Sequence, residues 1–361
     1  MELNKLIRSS LRKYNAYEPG EQPTEEEWIK LNTNENPYPP IEEVTQAMKS
    51  ALNERLKLYP DPNAKELRKL IVSMLLRDKD TLTTANSVFI GNGSDDVLDV
   101  IMKVFIEPGD NVLYFYPSYG MYKTLGDLYN ASSKVIKLNE DFSIPDSVFE
   151  SEGKLLFINS PNNPTGASFG NATLLKICTK FPGIVVVDEA YADFSKISAL
   201  SLLKKVDNLI VIRSFSKSFS LASMRIGFAI AHPDIIKIMN SVKLPYNTNY
   251  LAQIAAKASI KNMDKIFARN EKIISERTRV MAELGKYEKI KVYPSDANFV
   301  FIEFTEQATA LKFVWDLKDK KILVRHFNRK GLYEFIRVSI GTEEQNNKLL
   351  CEFRNIAVKN L

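Results

Sequence analysis

The stretch Ile184-Val185-Val186-Val187-Asp188-Glu189-Ala190-Tyr191 decides the fold. Four β-branched residues in a row stop abruptly at a carboxylate. An unbroken apolar run of this length suits a strand buried on both faces of a sheet, since alternation is needed only when one face meets water. Similar runs occur at Val88-Phe89-Ile90, Val112 to Tyr116, Leu155 to Ile158, Leu209 to Ile212 and Ile226 to Ala231. Helical stretches such as Asp95 to Val104 and Ala172 to Thr179 lie between them and read as crossovers. The alternation predicts an α/β domain with a mostly parallel central sheet flanked by helices.

Outside this region the pattern changes. Residues 1–40 form an irregular arm rich in Pro, Glu and Asn. A long helical pattern follows Pro245, from about Tyr250 to Leu284. Beyond it, Phe299 to Phe304, Ile322 to Arg325 and Phe335 to Ile340 read as strands, with helices at Ala308 to Leu317 and Glu343 to Ala357. The expected organisation is therefore an arm (1–40) packing with a small domain, a large domain (41–245), and an interdomain helix with a small α+β domain (246–361). A chain of 361 residues is long for one core, which agrees.

Composition narrows the function. With 45% hydrophobic and 26% charged residues the chain reads as a soluble globular protein. Its net charge of +5 is scattered, without the basic block of a nucleic-acid arm. Cys178 and Cys351 are far apart and suggest no disulfide framework. His232 and His326 are the only histidines, so neither a metal site nor a Ser-His-Asp triad is expected. The start, MELNKLIRSSLRKY, lacks the apolar core of a secretory signal. No run approaches the roughly 20 apolar residues of a membrane helix. A reducing cytoplasm is the expected location.

Chemistry gathers where strands end. Lys217, in Ser214-Phe215-Ser216-Lys217-Ser218, lies just past the run Leu209 to Ile212, where ligands collect in α/β sheets. Most loop lysines are merely solvated; the company of Lys217 sets it apart. Asp188 ends its own run, either as a helix cap or as the partner of a cationic ring nitrogen. Asn163, in Asn162-Asn163-Pro164-Thr165-Gly166, either shapes a turn or donates to an oxyanion. Gly91-Asn92-Gly93-Ser94-Asp95-Asp96 follows a strand and opens a helix, presenting free N–H groups to an anion. Asp96 stands where a dinucleotide fingerprint needs glycine, so that reading fails. The acidic side chains are expected to point away while the backbone binds. Tyr119 offers a ring for stacking, and Tyr191 a hydroxyl. Arg225 follows Lys217 by eight residues. Together these suit pyridoxal 5'-phosphate (PLP), which needs a Schiff-base lysine, an anion for its pyridine nitrogen and donors for its phosphate. Arg325 and Arg337 lie in late strands, where an arginine needs an anionic partner or a route to water. Both are candidates to clamp a substrate phosphate or carboxylate. Arg329, between them, is expected to face solvent.

The ordered motifs GNGSDD, PSYGMY, NNPTG, VVVDEAY, SFSKSFSLASMRIGF and FIRVSIGT resemble the fold-type I PLP-dependent aminotransferases over almost the whole chain. Tyr17-Glu18-Pro19-Gly20, LNTNENPYPP, Tyr59-Pro60-Asp61-Pro62 and PYNTNYLAQ narrow the resemblance to the histidinol-phosphate aminotransferase group. The resemblance implies that Lys217 carries the cofactor and later transfers protons, with Asp188 on the pyridine nitrogen and Tyr191 and Asn163 on the phenolate oxygen. It also implies Tyr119 stacked on the ring, and Ser94, Asp95, Ser214, Ser216 and Arg225 around the phosphate. Tyr59 would reach that phosphate from a second subunit, making a homodimer with shared sites. Tyr17, Asn36, Asn163, Arg325 and Arg337 would meet the substrate. The implied reaction exchanges an amino group between L-histidinol phosphate and 2-oxoglutarate. Rival readings keep the cofactor residues: a decarboxylase of a phosphorylated amino acid, a transaminase of another phosphorylated amine, or an aromatic aminotransferase. A non-catalytic regulator would need a DNA-binding module, for which the arm is too short. Two features depart from the group: serines at 220 and 223, where glycines are common, and a loop from His326 to Phe335 that is more basic than the group leads one to expect.

Overall fold

Thirteen strands organise the described part of the chain, and alternate residues of the same strand feed opposite sides of the central sheet. The computed structural model describes residues 3–8, 11–12, 14, 16–25, 27–75 and 84–360. The strands are β1 (Ile29–Lys30), β2 (Val88–Gly91), β3 (Asn111–Tyr116), β4 (Ser132–Lys137), β5 (Leu155–Asn159), β6 (Ile184–Asp188), β7 (Leu209–Ser214), β8 (Gly227–Ile230), β9 (Ile290–Tyr293), β10 (Phe299–Phe304), β11 (Ile322–Leu323), β12 (Arg325–His326) and β13 (Phe335–Ser339). The central sheet has the order β2-β8-β7-β6-β5-β3-β4. Its pairings are parallel from β7 through β4, and β8 alone runs against its neighbours.

Val185 and Val187 belong to one hydrophobic core, while Val186 belongs to the core on the other face. Leu209 and Val211 alternate with Ile210 and Ile212 in the same way. This two-sided burial is why β6 and β7 read as unbroken apolar runs. Edge strand β4 escaped that reading because Ser132–Lys137 is polar and largely exposed.

A second, antiparallel sheet has the order β12-β13-β10-β9 and packs its own core, built on Phe299, Val300, Ile302, Ile336 and Val338. The arm packs on the same core: β1 pairs in parallel with β11 as a separate two-stranded sheet, and Leu31 is buried in that core. Residues 1, 2, 9, 10, 13, 15 and 26 of the arm lie outside the described residues. The expected long helix is two helices, Tyr250–Lys261 and Met263–Leu284, meeting at Asn262. Ala252, Ala255, Ala256 and Ile260 pack into the first core; Ile273, Val280 and Leu284 pack into the second. One continuous stretch of chain thus ties the two cores together.

Candidate active site

β5, β6 and β7 are adjacent and parallel, so their carboxyl ends bring Asn159, Asp188 and Ser214 to one edge. A cavity of about 470 Å³ opens there, floored by this edge and walled by the arm and the second sheet. Its lining includes Lys217, Asp188, Tyr191, Asn163, Arg225 and Arg337.

Past β7 the chain turns on buried apolar residues. Phe215 and Phe219 pack with tilted rings, centroids 4.7 Å apart, and Leu221 is also buried. They flank Lys217, whose Nζ reaches the cavity and donates to the Thr33 carbonyl at 3.1 Å. Burial pulls the ammonium down to about 8, against the opposing pull of the nearby Glu35 carboxylate. The Asn36 amide donates to the carbonyls of Lys217 and Ser218 at 3.0 and 3.1 Å. That amide is therefore committed to holding the lysine loop, and Asn36 is absent from the cavity lining, contrary to its expected place at the substrate. Below, Arg213 bridges Glu189 and Asp193, each at 2.7 Å, and Ser218 donates to Asp193. Ser220 holds φ +58°, the left-handed region that glycine enters freely, at a position where the group often has glycine.

Asp188 is 3% exposed, and its carboxylate accepts from the Tyr122 hydroxyl at 2.9 Å and the Ala190 N–H at 3.1 Å. Burial outweighs these donors and lifts its pKa to about 6. A buried carboxylate in this condition is suited to a cationic partner. Nothing in the sequence marks Tyr122 for this role beyond its place three residues after Tyr119. Tyr191 is buried; the Asn34 amide donates to its oxygen at 3.0 Å, leaving the hydroxyl proton for another acceptor. Asn163 is anchored through its N–H on Asn159 at 2.7 Å, and its oxygen accepts from Arg337 at 2.5 Å, which leaves the amide N–H₂ free to donate.

At the other end the helix Ser94–Phe105 starts immediately after Gly93, held at φ +87°. A side chain on Gly227 of β8 would lie 2.7 Å from the Ser94 nitrogen, so glycine there lets β8 press against the helix start. First-turn N–H groups have no intrahelical acceptor. Ser214, Ser216 and Arg225 line the same end. Asp96 turns away, accepting from the Asn92 N–H at 2.8 Å and the Asn247 amide at 3.0 Å. Asp95 departs from expectation: its carboxylate accepts from Tyr119 at 3.0 Å and pairs with Arg225 at 3.2 Å. An anion held by Arg225 must share it with Asp95.

Arg325 and Arg337 are direct cross-strand partners in β12 and β13. Arg337 is buried between the rings of Phe299 and Phe327, 5.3 and 5.8 Å from their centroids. It donates to Asn163 and to the Asn32 carbonyl at 2.8 Å, while its Nε has no partner. Arg325 donates to the carbonyls of Glu18 and Pro19 at 3.2 and 3.3 Å. Tyr17 meets Tyr119 edge-on at 5.8 Å. Arg329 also lines the cavity, so it faces the cavity mouth instead of bulk solvent alone. Tyr59 does not reach this cavity; it is 80% exposed and stacks on Tyr246 at 4.3 Å. Thr33, Asn34 and Glu35, the remaining unforeseen contributors, come from the motif LNTNENPYPP.

The cavity thus offers an unprotonated-prone lysine, a buried carboxylate, two donors for an oxyanion, an anion cradle and an arginine pair. That donor set fits a cationic ring bearing an oxyanion and a phosphate. Comparison with known proteins agrees. The family model for aminotransferase class I and II matches residues 26–353, and the chain belongs to that family. Within it, the chain is 39% identical to histidinol-phosphate aminotransferase of Synechocystis sp. over 97% of its own length and 98% of the relative's. It is 40% identical to the protein of that name from Clostridium botulinum, covering 95% and 96% of the two chains. The solved histidinol-phosphate aminotransferase from Clostridium acetobutylicum superposes with a TM-score of 0.82 at 25% identity, over 92% and 99% of the chains. That from Sinorhizobium meliloti, solved with pyridoxal-5'-phosphate, has a TM-score of 0.82 at 23% identity, over 92% and 91%, and shares the fold.

Proposed function

We propose that this chain is a PLP-dependent aminotransferase exchanging an amino group between L-histidinol phosphate and 2-oxoglutarate, with imidazole-acetol phosphate and glutamate on the other side. One observation carries the choice of substrate class: Arg337 is buried in an apolar setting with Arg325 directly across the strand pair, and both line the cavity that holds Lys217. A buried guanidinium satisfied only by neutral groups favours an anionic visitor. The relatives' shared name supplies the particular substrate.

Bound PLP supplies a carbonyl for the amine and a ring that takes up the electron pair of the broken C–H bond. Lys217 supplies the amine that holds the cofactor and, when freed, moves a proton at its Nζ. Its lowered pKa keeps a useful fraction neutral near pH 7. Asp188 would hold the ring nitrogen cationic, Tyr191 and Asn163 would donate to the ring oxygen, and Tyr119 would cover a ring face. The N–H groups of Ser94 and Asp95, with Ser214, Ser216 and Arg225, hold the phosphate. Tyr17, Asn163, Arg325 and Arg337 orient the substrate, and guanidinium accepts either phosphate or carboxylate.

In the same reading the arm (1–40), the large domain (41–245) and the segment 246–361 act together, with the helix Tyr250–Lys261 seated on the large domain. The protein works as a homodimer. Leu52, Leu56, Leu58, Tyr59, Leu244 and Tyr246 are exposed, an apolar surface suited to cover by a second copy, and the family resemblance assigns Tyr59 to the partner's phosphate end. The location is a reducing cytoplasm, consistent with the unpaired Cys178 and Cys351. No helix among the described residues is long and apolar enough to cross a membrane.

The test is steady-state turnover of PLP-loaded protein with 2-oxoglutarate and one donor at a time. L-Histidinol phosphate is expected to give the highest kcat/KM. A higher value with phenylalanine or tyrosine, or CO₂ release from a phosphorylated amino acid, would overturn the reading.

A further inference from the structure

We propose that Arg329 is a specificity-determining residue, placed at the cavity mouth to select a dianionic phosphate over a single carboxylate. This deepens the functional reading above and rests on it. Arginine ion pairs among the described residues belong to Arg213, Arg225 and Arg279. Arg325 and Arg337 meet only neutral acceptors, and Arg329 joins them on the same cavity. Three guanidinium groups around one opening make a field that a doubly charged group satisfies better than a singly charged one.

The loop carrying Arg329 is built in place. Tyr116 of β3 donates to the Lys330 carbonyl at 2.6 Å, linking the loop to the central sheet. The Arg329 N–H donates to Phe327 at 2.9 Å, its carbonyl accepts from Leu332 at 3.0 Å, and the His326 ring bonds the Tyr333 carbonyl at 2.8 Å. Leu332 is buried with Phe301 and Phe335, and Phe327 packs against them.

Gly120 gives an independent sign. Its backbone is ordinary helical, φ −63° and ψ −18°, so conformation alone does not call for glycine. A Cβ there would lie 2.9 Å from Nη1 of Arg329 and 3.3 Å from Cε2 of Tyr17. The missing side chain leaves a notch that the guanidinium shares with Tyr17, beside the ring expected to face the substrate.

The experiment compares wild type, Arg329→Ala and Arg329→Lys, all PLP-loaded, with L-histidinol phosphate and with unphosphorylated L-histidinol. Loss of a charge-assisted contact predicts that Arg329→Ala lowers kcat/KM for L-histidinol phosphate about 10- to 100-fold, chiefly through KM. The loss with L-histidinol is at least about tenfold smaller, because the phosphate contact is absent there. Arg329→Lys recovers part of the loss, and added salt narrows the gap between wild type and Arg329→Ala. Equal losses on both substrates, or no loss on either, would overturn the inference. Should wild type fail to turn over L-histidinol phosphate, the functional reading itself fails. Calorimetric titration of inorganic phosphate into PLP-loaded wild type and Arg329→Ala then decides Arg329. Binding about tenfold weaker in the variant supports the inference, and equal binding refutes it.

Discussion

Asp188→Asn in cofactor-free protein separates what the carboxylate does for the site from what it costs the fold. The folded pKa of Asp188 is raised from 3.8 to about 6, mainly by burial. A group whose folded pKa is raised binds its proton more tightly when folded. Its stabilising contribution is complete below the unfolded value and is lost as pH rises through the folded value. At about 1.4 kcal/mol per pKa unit, the window from below pH 4 to above pH 7 carries about 3 kcal/mol, of which roughly half falls between pH 5 and 8. Asparagine matches both contacts: its oxygen can accept from the Ala190 N–H, and its amide can donate to the Tyr122 oxygen. The variant therefore lacks this penalty at neutral pH. The assay is urea unfolding of both cofactor-stripped proteins from pH 5 to pH 8, at one protein concentration so that association does not distort the comparison. The difference, variant minus wild type, should grow by about 1.4 kcal/mol across that range. Affinity for PLP should fall in the variant at the same time, because the cationic ring nitrogen loses its counter-charge. A difference that stays flat with pH would refute the reasoning.

Three further outcomes follow from the same geometry. The rate at which stripped protein captures PLP, read by absorbance, should rise with pH, be half-maximal near 8 and level off about one unit higher, where the Lys217 amine is mostly neutral; a rate still climbing at pH 10 would place the reactive lysine elsewhere. Arg337→Met, which keeps the stem but removes the charge, should lower kcat/KM for L-histidinol phosphate about 100-fold or more. Arg337→Lys should recover little of it, since lysine lacks the planar fork that sets one nitrogen on Asn163 and another on the Asn32 carbonyl; full activity in Arg337→Lys contradicts this. Tyr59→Phe should weaken PLP binding about tenfold in a dimeric protein, measured by equilibrium dialysis beside analytical ultracentrifugation; a fully active monomer would remove the shared site.

The two-sided burial of β6 and β7 left a direct trace in the sequence, and so did the carboxylate and the serine-rich loop at their ends. Those signals placed Lys217, Asp188, Asn163 and Arg225 around one cavity. Polar edge strand β4 and two-residue β1 left no such trace, because neither carries an apolar run of its own. Supporting contacts were the harder part. Tyr122 on Asp188, Asn34 on Tyr191 and Asn36 on the lysine loop join residues 66, 157 and 181 or more positions apart, and only the fold brings them together. Arg329 is exposed, as a basic loop suggests, and what the sequence does not show is that the notch at Gly120 also places its guanidinium at the cavity.

The most direct measurement is a single half-reaction. PLP-loaded protein is mixed with L-histidinol phosphate, without an acceptor, and the cofactor's absorbance is followed, with Lys217→Ala as control. The account predicts conversion to the amine form of the cofactor, reversal on adding 2-oxoglutarate, and no conversion on the catalytic time scale in Lys217→Ala. An unchanged spectrum with PLP demonstrably bound, or a normal rate in Lys217→Ala, would contradict it.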